Sequence, residues 1–105
     1  MKISVSKRDR EFAQLIKERD DFVCRKCHHG YSPGDRGIQA AHLFSRRYRA
    51  TRWDPQNAFT LCTHCHLAWA HTRSLEFHVW ARKELGDAVY EALAERAGAL
   101  HFKMA

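Results

Sequence analysis

Asn57-Ala58-Phe59-Thr60-Leu61-Cys62-Thr63-His64-Cys65-His66 is the stretch from which the rest of this 105-residue chain can be read. Its first half is a short apolar run, Ala58 to Leu61, behind a turn at Asp54-Pro55-Gln56-Asn57. Pro favours the second position of such a turn, and Asn can bond its own backbone. Its second half sets two cysteines with two residues between them and runs into a histidine. A matching pair, Cys24-Arg25-Lys26-Cys27, lies upstream, with residues 28–61 between the pairs.

In a reducing compartment, paired CxxC motifs read as a metal site before they read as disulfides. Zn²⁺ takes four thiolates tetrahedrally, and each CxxC lets one short turn offer two sulfurs to the same ion. Cys24, Cys27, Cys62 and Cys65 are therefore expected to hold one structural Zn²⁺. Its binding would supply much of the folding free energy of so small a domain. Arg25 and Lys26 stand beside the first pair and could offset thiolate charge. Both pairs continue into histidine, at His28 and His66, so they also match the haem-attachment pattern CxxCH. Covalent c-type haem is attached outside the cytoplasm. Met1 to Arg10 has no apolar stretch long enough for a secretory signal, so a cytoplasmic zinc protein is expected instead. No βαβ pattern surrounds either motif, which sets aside a thioredoxin-like redox pair.

Composition agrees with a single soluble domain over 1–105. Hydrophobic residues make up 45% and charged residues 29%, so wholesale disorder is not expected. No run approaches the ~18 apolar residues of a membrane span. Eighteen basic against 12 acidic residues give a net charge of +6 and a pI near 9.5, which suits a polyanionic partner. The excess is uneven. Arg36, Arg46, Arg47, Arg49, Arg52 and Arg73 face a single acid, Asp54, over residues 36–73, whereas residues 74–98 are net acidic.

Local signals place the motifs on an α+β frame. Ser6-Lys7-Arg8-Asp9 matches a capping box, and Phe12, Leu15, Ile16 and Arg19 follow at helical spacing, predicting a helix over 7–19. Residues 20–23 read as a turn and short strand into the first knuckle, and residues 30–37 as a loop. Residues 38–43 read as a strand, 44–52 as an irregular arginine-rich segment, and 63–71 as helical. Ser74 and Asp87 are expected to cap two further helices, ending at Leu85 before Gly86 and at Ala97 before Gly98. Val89, Ala92, Leu93 and Ala97 would share one face of the last, and residues 99–105 would fray.

A strand ending in His42, an asparagine at 57 and a helix carrying His66 and His71 can converge on one point. Phosphodiester hydrolysis needs a base for water, a cation for the developing charge and positive groups for the backbone. With these residues the chain resembles the HNH (ββα-metal) nuclease superfamily, in the variant whose finger is held by two CxxC knuckles. The matching stretches are Cys24 to Cys27, Ile38-Gln-Ala-Ala-His42-Leu43 and Asn57 to His66. Within it, Ala41-His42-Leu-Phe-Ser45-Arg46 and Arg52-Trp53-Asp54-Pro-Gln-Asn57 look like the phage recombination nucleases NinG or Rap.

The resemblance implies a small zinc-bound ββα finger over about 38–71, with an N-terminal helix and a helical part at 74–97. It makes His42 the general base, Asn57 the middle asparagine of the catalytic motif, which usually ties the finger's loop to its strands, and His66 a ligand of a catalytic Mg²⁺ or Mn²⁺. It also implies a structural zinc site remote from the chemistry. The implied partner is DNA, often branched or nicked, in the cytoplasm of a bacterial host if the chain is phage- or prophage-encoded. One departure matters: many HNH enzymes carry Asp or His before the base, where this chain has Ala41, as the NinG-like proteins also have a small residue. His71, Asp54 or Asn57 would then have to complete the ion's ligands, although His71 follows His66 by five residues where four is commoner.

Plainer readings compete. His42 alone could be a half-buried strand histidine, and His66 could lie on the surface or replace Cys65 on zinc. Arg46, Arg47, Arg49 and Arg52 could merely solvate a loop, but their crowding beside His42, with Tyr48 and Trp53, suits phosphate contact and base stacking. Trp69, Phe77, Val79 and Trp80 read as core, and His28, His29, His64, His78 and His101 receive no role. The whole-chain alternative is a non-catalytic zinc module that binds nucleic acid. A homodimer is left open, since cutting both strands with one site per chain favours two copies.

Overall fold

The computed structural model describes residues 3–98; the expected frayed tail and His101 lie outside them. Helix α1 (Lys7–Arg19) starts at a complete capping box, in which Ser6 accepts from the Asp9 amide and the Asp9 carboxylate accepts from the Ser6 amide. Only Phe12 and Ile16 of its apolar residues are buried, against Ala58; Leu15, expected on the same face, is 63% exposed. The four-residue step from 12 to 16 sets the contact stripe, and 15 falls beside it.

After α1 the chain turns sharply, with Asp21 and Phe22 in left-handed backbone. The expected short strand before Cys24 shrinks to one bridge, Val23 with Gly30. Strands β1 (Ile38–His42) and β2 (Ala58–Cys62) then pair antiparallel, with Ala41 opposite Phe59 and His42 opposite Ala58. Every residue of β2 is buried, because one face receives α1 and the other the main core. The second knuckle follows and continues into a π-wound helical turn over Cys65–Ala70.

Helices α2 (Ser74–Leu85) and α3 (Asp87–Arg96) close the core. Their caps are Arg73 and Gly86, one residue before the expected Ser74 and Asp87. Gly86 has φ +88° and ψ 154°, a combination essentially confined to glycine, and it lets the two helices meet without a linker. Phe59, Phe77, Trp69 and Trp80 pack edge to face or stacked, with ring centroids 5.0 to 6.3 Å apart. Val79, expected in this core, points out, and on α3 it is Ala94 rather than Ala92 that is buried with Leu93 and Ala97. No helix among the described residues is long and apolar enough to cross a membrane.

Candidate active site and metal cluster

The sulfurs of Cys24, Cys27, Cys62 and Cys65 lie within 4.8 Å of one another, and Cys27 Sγ is 3.9 Å from Cys62 Sγ. A tetrahedral ion with bonds of about 2.3 Å needs sulfurs about 3.8 Å apart, so the cluster has the dimensions and the donor chemistry of a Zn²⁺ site. Each knuckle folds back on its own first sulfur, through the Cys27 amide to Cys24 Sγ at 3.5 Å and the Cys65 amide to Cys62 Sγ at 3.4 Å. Burial opposes ionisation of Cys24, but the amides of Cys27, Cys62 and Lys26 outweigh it and bring the thiol down to about 7. Arg25 and Lys26, expected as counter-charges, are turned elsewhere. Arg25 bridges Asp20 and Glu84, and the Lys26 ammonium sits 5.0 Å over the Trp69 ring.

A cleft of about 770 Å³ runs along the edge of β1 that carries no third strand among the described residues. Asp9, Ala13 and Lys17 of α1 line it together with Val5 just before the helix, and so do His66, His71 and His78. His42, at the end of β1, faces this space while its neighbour Ala41 is buried against the core. The His42 Nε2 lies 2.8 Å from the carbonyl oxygen of Arg52. A carbonyl can only accept, so Nε2 carries the proton and a neutral ring keeps its lone pair on Nδ1. Burial holds His42 below the usual imidazole range; the Arg52 carbonyl pulls it upward and the charge of Arg46 adds to the lowering. Phe12 packs against the ring at a centroid distance of 5.5 Å.

His66 is oriented by a residue that no sequence signal singled out. Gln39 Oε1 lies 3.3 Å from His66 Nδ1, while the Gln39 amide nitrogen donates to the Arg36 carbonyl and to Thr63 Oγ1. With Nδ1–H committed, His66 Nε2 is the atom free to bind a cation. Burial, then the neighbouring His71 and His42, lower its pKa to about 4, so the ring is neutral at physiological pH. His71 lies beside it, with ring centroids 4.5 Å apart, and the His71 amide donates to the His66 carbonyl at 3.0 Å. That i to i+5 bond is the π-helical one. It resolves the five-residue spacing: the wider turn returns His71 to the face an α-helix would give to the fourth residue.

Other expected site residues are engaged in scaffold. Asn57 is 0% exposed; its Oδ1 accepts from the Phe44 amide and its Nδ2 donates to the carbonyls of Phe44 and Thr51. These bonds tie the 43–57 loop to the strands, the part the resemblance implies for the middle asparagine, and leave Asn57 a positioning residue with no exposed atom toward the cleft. Asp54 does not line the cleft and is bonded to Arg96 at 2.7 Å and to the Gln56 amide. Arg52 is only 15% exposed and its guanidinium is bound bidentately by Asp9, while Arg46 reaches the carbonyls of Ile3 and Ser4. The Asp9 carboxyl is held far below the usual carboxylate range by Arg52 first; burial opposes this, and Ser6 and Trp53 add to it. Trp53 is not open for base stacking: Arg8 lies 3.9 Å over its ring and its Nε1 donates to Asp9. Arg47 and Arg49 remain exposed, with no ion pair among the described residues.

The antiparallel hairpin, the helical turn behind it and the four-cysteine cluster together define a ββα finger of the HNH type. A model of the HNH endonuclease family matches residues 21–73, half of the chain, and the protein belongs to that family. Comparisons with curated proteins and with solved structures gave no match. The matched segment begins after α1 and ends before α2.

Proposed function

We propose that this protein is a metal-dependent DNA endonuclease in which His42 is the general base. The observation that carries the reading is the Nε2 bond of His42 to the Arg52 carbonyl, in a cleft shared with His66. A water at Nδ1 gives up its proton to the ring as its oxygen bonds to phosphorus and the scissile P–O bond breaks. The resulting imidazolium keeps its Nε2–H on the Arg52 carbonyl, which favours the charged ring. His66 and His71 would hold the divalent ion, which supplies positive charge to the transition state and the departing oxygen. No free carboxylate faces them among the described residues, since Asp9 is saturated, and a donor set of imidazoles suits a transition-metal ion better than Mg²⁺. Arg47 and Arg49 are the exposed groups suited to hold phosphates. The NinG-like stretches around His42 and Asn57 support branched or nicked recombination intermediates as substrate, and a cut through both strands would engage two copies.

The test is nicking of supercoiled plasmid and of a branched junction by zinc-loaded protein, with Mn²⁺, Mg²⁺ or no added ion. Cleavage should require the ion and fall by ~100-fold or more in His42→Ala, with zinc content unchanged. Equal cleavage by the variant would remove His42 as base. A folded protein that binds but never cuts would leave the zinc-bound binding module, with Ala41 as the lesion.

A further inference from the structure

We propose that α1, which lies outside the segment matched by the family, is part of the active site, with Asp9 as the positioning residue for His42. The proposal rests on the reading of His42 as the base. The His42 Nε2–H is held by the carbonyl of the peptide joining Arg52 to Trp53. Asp9 grips the residues on both sides of that peptide, taking Nε and an η-nitrogen of Arg52 and Nε1 of Trp53. The same carboxylate accepts from the Ser6 amide and hydroxyl and from Arg46, so its own position is fixed by the helix start. Phe12, one turn on, backs the imidazole ring. One carboxylate of α1 therefore sets the carbonyl that sets the tautomer of His42, and its remaining acceptor positions are taken by Ser6 and Arg46. A carboxylate so occupied does not serve as a metal ligand.

Neutralising the clamp weakens both grips at once. Arg52→Lys keeps the cation but loses the planar fork that matches the carboxylate. The experiment is long-range ¹H–¹⁵N NMR of histidine-labelled, zinc-loaded full-length protein, alongside plasmid kinetics, for wild type, Asp9→Asn, Arg52→Lys and the control Glu11→Gln. Glu11 is exposed on the same helix and pairs only with Lys7 among the described residues. Wild type and the control should show His42 as a single Nε2–H tautomer. Both clamp variants should show mixed tautomers and a kcat lowered about 10- to 100-fold, with KM for DNA nearly unchanged. A wild-type tautomer and kcat in either folded clamp variant would overturn the proposal. If Asp9→Asn does not fold, Arg52→Lys alone decides. If the wild type does not cut, the nuclease reading fails, while the tautomer in the variants still decides whether Asp9 positions His42.

Discussion

Asn57 makes three hydrogen bonds in a site closed to solvent, so Asn57→Ala strands the Phe44 amide and weakens the satisfaction of two carbonyls. An orphaned buried group costs about 1–3 kcal/mol, and the variant is expected to lose about 3 kcal/mol of stability in urea unfolding at saturating zinc. Cleavage should fall as well, because the loop that carries Arg52 is released. At this scale the sequence was legible where the signal is local. The Ser6–Asp9 capping box could be read directly, since its partners lie three residues apart. What Asp9 does beyond the cap could not, because Arg52 and Trp53 lie far along the chain and no periodicity links them. Gln39 was missed for the same reason: it is one polar residue on a short strand, and its meaning comes from His66 across the fold.

Among the elements, the junction of α2 and α3 invites a direct test. Nothing lies within 4 Å of a Cβ built on Gly86, so Gly86→Ala meets no clash and its cost is conformational alone. A residue forced into this glycine-only region costs about 1–3 kcal/mol. The variant should melt several degrees lower, by about 4–8 °C per kcal/mol for a domain of this size, with zinc content unchanged. Helix and strand positions were readable from the Ser6 cap, the turn at Pro55 and the helix-stopping glycines, although Ser74 and Asp87 lie one residue inside the helices they were expected to cap. The π-wound turn was not. Hydrophobic periodicity assumes 3.6 residues per turn, so His66 and His71 looked out of phase until the i to i+5 bond was seen.

For the molecule as a whole, the cysteine cluster lies inside the main core: Cys24, Cys62 and Cys65 are buried beside Ile38, Leu61 and Phe59. Without an ion these sulfurs take up protons, Cys65 above all, because burial and then the neighbouring Cys62 and Cys24 push its thiol up, and the tie between the two knuckles is lost. A zinc-selective chelator is therefore expected to abolish the near-ultraviolet circular dichroism of the aromatic cluster, and added Zn²⁺ to restore it. A chain that kept its signal without metal would show that the apolar core suffices. The CxxC pairs and basic middle made this architecture readable, but the sequence could not show that half of the arginine loop would turn inward to α1. The cysteines also differ in one respect: Cys27 is exposed and the other three are buried. An outside competitor, whether another ligand or an oxidant, therefore meets Cys27 first. Loss of a bound ion would then begin at that single contact, ahead of any exchange at the three buried sulfurs.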